Sequence, residues 1–168
     1  MQPADVDEAP RPGESARECA ERLAREKAFA VWRTRPQDLV LGADTIVVAD
    51  ETILGKPVDA DDAARMLRLL SGRLHRVITG VCLIEAGVKG SDEQVRTGSE
   101  ATLVTMSAIT EDEIRAYVAT GEPMDKAGAY AIQGMASRWI PRIEGDYSNV
   151  VGLPVALVYR MLRERRGF

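Results

Sequence analysis

One histidine, His75, and two cysteines, Cys19 and Cys82, are all the histidine and cysteine that 168 residues contain. That is too few for a zinc site, and a Ser-His-Asp or Cys-His catalytic unit would have to run through His75, which has no supporting neighbours in the sequence. No apolar run approaches the roughly 18 residues of a membrane span. The N-terminal MQPADVDEAPRPGES is acidic and proline-rich, where a secretory leader is basic and then apolar. Signal peptide and span are both excluded, no membrane partner is expected, and a cytoplasmic protein whose reduced cysteines serve packing follows. Blocks of one charge sign are missing too: 22 basic against 26 acidic residues leave a net charge of −4. Such a surface has no electrostatic footprint for a nucleic acid polymer, so any phosphate partner must be held by local positive groups. Internal repeats, low-complexity segments and linkers are also lacking, and residues 1–168 are expected to form a single domain.

What is present reads as alternating helix and strand. Ser15 and Glu18 form a capping box, followed by Ala20, Leu23, Ala24, Ala28 and Val31 at helical spacing, which predicts a helix over 16–33. LVLGADTIVVA at 39–49 is an apolar, β-branched run bounded by turn formers and reads as a buried strand. DADDAARMLRLLSG predicts a second helix, with acidic residues in its first turn and Gly72 past its end. Residues 74–85 and 99–107 read as a hairpin. Thr110 and Glu113 cap a further helix. The glycine-rich stretch from Gly121 to Pro154 reads as site-building loop, with short strand-like pieces near 129–133 and 138–143, and a last helix starts at Pro154.

Several polar residues fit this frame poorly. Asp44 lies inside the apolar strand, where an ionised carboxylate costs several kcal/mol unless a cation or donors compensate it. It faces either a metal or substrate, or an arginine in the core. Thr45 beside it belongs on the opposite face by strand alternation; for both to face one site the strand must end or bulge there. Lys27 interrupts the apolar stripe of its helix and either snorkels to water or meets an anion. Lys56, between Gly55 and Pro57, is aimed by a constrained turn at a phosphate or stands as an ordinary surface lysine. Asp5, Asp7 and Glu8, and later Asp125 and Lys126, are either solvated turns or, for the carboxylates, oxygen ligands suited to Mg²⁺ or Mn²⁺. His75 reads as a strand-end residue and the methionines as core filler.

LGADTIVV, ILGKP, DADDAARMLRLLSGRLHRVITGV, YVATGEPMDKAGAYAIQG and EGDYSNVVGLP, in that order, resemble the signature of the Maf family of nucleoside triphosphate pyrophosphatases, from about residue 3 to residue 157. The resemblance implies an α/β fold: an elongated, twisted mixed sheet flanked by helices, similar to the inosine triphosphate pyrophosphatases. It also implies a cytoplasmic homodimer that uses a divalent cation, Mg²⁺ or Mn²⁺. The family's catalytic base in GADT falls on Asp44, its phosphate-side lysine in GKP on Lys56, the DVDE glutamate on Glu8 and the lysine of the next helix on Lys27. Asp44 and Glu8 become the expected metal ligands. Thr45 and Gln133, in place of the glutamine and glutamate of the 7-methyl-GTP type, imply pyrimidine substrates, and Asp125 and Lys126 are expected beside them. An amide such as that of Gln133 both donates and accepts, which suits a pyrimidine O4/N3 edge. Hydrolysis of dTTP, UTP and related nucleotides to monophosphate and pyrophosphate is the implied activity. The alternatives are a non-catalytic nucleotide-binding regulator of septum formation and a pyrophosphatase for another modified nucleotide such as 7-methyl-GTP. Family members begin with a strand and a loop of the form SASPRR; the sequence here starts at the DVDE block, which leads to an expectation of weak nucleotide affinity for this chain.

Overall fold

The computed structural model describes residues 6–87 and 93–165; Asp5 lies outside them. Helix α1, Ala16–Trp32, starts where its capping box predicts: Ser15 Oγ accepts from the Glu18 amide while the Glu18 carboxylate accepts from the Ser15 amide. This satisfies two amides that the helix itself leaves without partners. The sheet comprises β1 (Val40–Ala49), β2 (Thr52–Leu54), β3 (Leu74–Glu85), β4 (Gln94–Thr105) and β5 (Arg142–Glu144), in the order β2-β1-β3-β4-β5. The layering is the helix-flanked α/β arrangement expected. Where a mixed sheet was anticipated, all four pairings among the described residues are antiparallel. The connections explain this: β1 turns directly into β2, the chain returns through α2 (Ala60–Leu70) to lay β3 against the other edge of β1, and β3 folds back into β4.

Alternation along β1 divides two cores. Gly42, Asp44 and Ile46 stand opposite Cys82, Gly80 and Ile78 of β3, on the face that α1 covers with Cys19, Ala20, Leu23, Ala24 and Ala28. Ala43, Thr45 and Val47 stand opposite Val81, Thr79 and Val77 on the other face. There α2 and α3 (Glu111–Val118) pack at one end, and α5 (Val155–Arg165) covers Val81 and Leu83 at the other. Acidic residues in the first turn of α2 and the Asp59 side chain on the Asp62 amide mark its start as the sequence predicts.

Two segments differ from expectation. The pieces near 129–133 and 138–143 fold mainly as 3₁₀ turns at Ala127–Ala129 and Met135–Trp139, with a strand only at Arg142–Glu144. The chain reverses at Gly128 and Ala129, whose φ values of 69° and 60° no strand contains. Its amides are satisfied from afar: Ala131 N–H donates to Tyr117 Oη at 3.1 Å and Met135 N–H to the Glu122 carboxylate at 3.0 Å. The second difference is a short helix, α4 (Tyr147–Val151), within the stretch read as loop.

Helix α1 lies against bare backbone. A Cβ on Gly80 would sit 2.1 Å from the Ala20 carbonyl oxygen, and one on Gly42 would sit 2.3 Å from that of Ala24. Neither carbonyl can yield without shifting the helix. Gly80→Ala is therefore expected to destabilise the protein by about 1–3 kcal/mol through overpacking, read as a lower urea midpoint at unchanged slope. A midpoint equal to wild type would mean that α1 is not held this close.

Candidate active site

The contact that Gly42 and Gly80 permit brings Lys27, on the lower turn of α1, down onto Asp44. Lys27 Nζ lies 2.5 Å from Asp44 Oδ1 and 2.6 Å from Glu8 Oε1. The compensating cation for the buried carboxylate is thus a lysine from the neighbouring helix, and Lys27 meets anions instead of snorkelling to water. Asp44 keeps 9% of its side chain exposed and Lys27 keeps 19%. Burial raises the Asp44 pKa above its ordinary value, with Lys27 pulling the other way. Burial also works to lower Lys27, but Asp44 and Glu8 outweigh it and hold the ammonium above the usual lysine range. For Glu8 burial is likewise outweighed, by Lys27 and Lys56, and its carboxyl lies below the usual range.

Glu8 is placed by a clamp that local sequence patterns do not reveal. Arg22 on α1 donates to both Glu14 carboxylate oxygens, at 2.7 and 2.9 Å, and to the Ala9 carbonyl at 3.0 Å, fastening the segment that precedes α1 along its flank. The Arg22 hydrogen bond holds the Glu14 carboxyl down to about 2. Lys56 reaches the same cluster from the turn after β2, its Nζ 3.8 Å from Glu8 Oε1. That turn is pinned where the Gly128 amide donates to the Gly55 carbonyl at 3.0 Å, which also brings Asp125 and Lys126 alongside. Lys126 pairs with Asp125 at 2.6 Å.

A cavity of about 260 Å³ collects these groups. Lys27, Asp44, Thr45, Lys56, Asp125 and Lys126 all line it. Strand alternation holds without a bulge, the register running unbroken from Val40↔Ile84 to Val48↔Arg76. Asp44 and Thr45 share the cavity because β2 covers only Val47–Ala49. Among the described residues β3 pairs with β1 at Asp44 and Thr45, but no strand borders them on the side where β2 pairs further along, so the cavity opens on that strand edge and meets residues from both faces. Gln133 is exposed and is not among the lining residues.

Sequence reasoning missed other parts of the wall. Val47, Val77, Tyr130 and the segment from Val150 to Gly152 line the cavity. Tyr130 Oη lies 2.8 Å from Nε2 of the buried His75; burial pushes His75 down to about 4, so the ring is neutral at physiological pH. Thr79, fully buried behind Thr45, could have been flagged as Asp44 was, as a polar residue in an apolar strand. A larger hollow of about 730 Å³ along the outer side of α1 takes only Asp7 of the candidate residues, without Glu8 or Asp44, and its Arg11 and Arg22 are already paired with Glu26 and Glu14.

The donor set bears on metal binding. Among the described residues no group of three or more His, Cys, Asp or Glu could hold an ion alone. Two carboxylates, Glu8 and Asp44, do converge, and one or two carboxylates completed by water and substrate phosphate is how Mg²⁺ is commonly held.

The sequence matches the family model described as Maf-like protein over residues 1–165. Among curated proteins it is 58% identical over 163 residues to a dTTP/UTP pyrophosphatase of Koribacter versatilis, covering 97% of this chain and 81% of that one. A dTTP/UTP pyrophosphatase of Syntrophomonas wolfei is 52% identical over 163 residues, covering 97% and 84%. One of Hahella chejuensis is 49% identical over 164 residues, covering 96% and 79%. The blocks that fold into the cavity wall and the whole-length match agree, and the chain belongs to the Maf family.

Proposed function

We propose that this chain hydrolyses pyrimidine nucleoside triphosphates, dTTP and UTP foremost, to the monophosphate and pyrophosphate. The observation that carries the reading is a buried carboxylate of raised pKa, Asp44, in one cavity with three lysines. The dTTP/UTP pyrophosphatase name of relatives about half identical to it supplies the substrate class.

The chemistry is substitution at phosphorus: water forms a new P–O bond, the bond between the α- and β-phosphates breaks, and pyrophosphate leaves. Asp44 orients the water and takes its proton, a role for which a carboxylate made more basic by burial is better suited than an exposed one. Lys27 and Lys56 face the phosphate oxygens and stabilise charge as it develops, the half-buried Lys27 more strongly than the exposed Lys56. Lys126 adds a third cation at the rim. Glu8 holds Lys27 from the side away from the strand. Glu8 and Asp44 would also hold Mg²⁺ or Mn²⁺, which would neutralise phosphate charge when bound with the nucleotide. Thr45, which lines the cavity on the opposite face of β1 from Asp44, is assigned to the base; Gln133, exposed and outside the cavity lining, has that assignment from the resemblance alone. Cytoplasmic location and a homodimer complete the reading.

Asp44→Asn is expected to lower pyrophosphate release from dTTP by a factor of about 10²–10⁴, the usual worth of a positioned base, while the fold survives because Lys27 keeps Glu8 as a partner. Wild-type turnover by a folded variant would remove Asp44 from the chemistry. The pH profile carries a sign. Only ionised Asp44 accepts a proton, so kcat/KM falls as pH is lowered through its pKa, at a higher pH than an ordinary aspartate near 3.8 would give. In Lys27→Met the neighbouring cation that favours ionisation is gone, so this limb moves to still higher pH and the rate drops. A limb that stays in place would show that Lys27 and the titrating group are not coupled.

A further inference from the structure

Behind the cavity wall, on the face of β1 opposite Asp44, two hydroxyls and a carbonyl stand in line. Thr45 Oγ1 lies 2.8 Å from Thr79 Oγ1, and Thr79 Oγ1 lies 3.2 Å from the main-chain carbonyl oxygen of Asn149. A carbonyl oxygen only accepts, and a threonine hydroxyl has one proton to give. One arrangement makes both contacts hydrogen bonds: Thr79 donates to Asn149, and Thr45 donates to Thr79. The parts cannot easily rearrange. Thr79 and Asn149 are fully buried, and Asn149 Nδ2 is fixed by the Val77 carbonyl and Thr102 Oγ1, each at 3.0 Å.

The proton of Thr45 is therefore spent inward. What Thr45 turns to the cavity is a lone pair, which repels a phosphate oxygen and attracts a donor. Uracil and thymine share a ring N3–H; cytosine has an unprotonated acceptor at the same position. We infer that Thr79 is a positioning residue that fixes Thr45 as a hydrogen-bond acceptor, and that this acceptor makes the site select pyrimidines with a ring N–H over cytosine. The inference rests on the proposed function in placing a nucleotide base at Thr45, and it adds the element of the base that is read and the buried residue that sets the reading.

The test measures binding without turnover, by calorimetry with the non-hydrolysable α,β-imido analogues of dUTP and dCTP and Mg²⁺. Wild type should bind the uracil analogue at least about tenfold more tightly, since a site built to accept from a substrate N–H leaves its buried group unpaired with the wrong base. Thr79→Val keeps the shape of the side chain and frees the Thr45 proton to turn outward, so the preference should fall to within about twofold, chiefly by a gain for the cytosine analogue. Thr79→Ser restores the acceptor and should restore the preference. Thr45→Val should abolish it without needing Thr79 to change, which covers the case of a Thr79→Val protein that does not fold. Equal preference in wild type and Thr79→Val, a loss in Thr79→Ser as large as in Thr79→Val, or no preference in wild type overturns the inference. Assays of dTTP hydrolysis on the same proteins separate the two readings: a wild-type preference with no pyrophosphate release sinks the hydrolysis and leaves the selection standing. Binding of neither analogue sinks both.

Discussion

The ammonium of Lys27, held between Asp44 and Glu8, is the contact on which the remaining architecture depends. A carboxylate in the middle of a buried strand is tolerable only with a cation in hydrogen-bond range, and among the described residues that cation is Lys27, with no arginine paired to Asp44. Lys27 can reach it only from a helix lying almost on the sheet. That closeness requires glycine at 42 and 80 below and alanine at 20, 24 and 28 above. Gly80 also stands directly opposite Asp44 in the ladder, so the space beside the carboxylate is free of a competing side chain. Fold and site therefore share one constraint, the separation between α1 and β1. The Arg22–Glu14 clamp extends it by bringing Glu8 to the far side of the same ammonium.

A strand whose residues alternate between two cores ordinarily cannot put neighbours in one cavity. Here it does so because the neighbouring strand stops short: β2 pairs with β1 only from Val47 onward, and the cavity opens where the ladder ends. The side chain of Asp44 comes to it from the α1 face with charge, and that of Thr45 from the other face with a hydroxyl fixed by Thr79. On the proposed reading, this separates phosphate chemistry from base selection by a single residue step along one strand.

The parts of this arrangement that were legible in the sequence are those whose cause is local. Capping boxes at Ser15 and Thr110 mark helix starts because cap and partner lie three residues apart. Asp44 and Lys27 stand out because each breaks the apolar pattern of its own element. The segment from Gly121 to Trp139 was opaque because its backbone is held by groups distant in sequence, Tyr117 and Glu122, and turns at a positive-φ Ala129 that composition does not announce. The β3–β4 hairpin was legible, but the antiparallel pairing of β1 with β3 was hidden for a similar reason: it depends on which edge of β1 receives β3 after the excursion through α2. The resemblance supplied residue roles that periodicity could not, yet it gave no sign that Gln133 would be exposed and away from the cavity wall while Thr79 stood behind Thr45.

Charge balance shows why three carboxylates belong in a site meant for an anion. Lys27, Lys56 and Lys126 bring three positive charges, and Asp44, Asp125 and Glu8 bring three negative ones. The cluster is therefore neutral as it stands, and each lysine has a carboxylate within 4 Å. Such a cluster is stable without ligand, where three unpaired lysines around a cavity would repel one another. It cannot, however, neutralise a triphosphate by its own excess charge. On the proposed reading the nucleotide must arrive with a cation of its own, and each lysine must exchange part of its contact with a carboxylate for contact with phosphate. Affinity is then set by the difference between two sets of ion pairs, and the carboxylate released by Lys27 is Asp44, the group proposed to accept the proton. In this way binding and activation are coupled: the phosphate that draws Lys27 away leaves Asp44 more basic at the moment the water must be deprotonated.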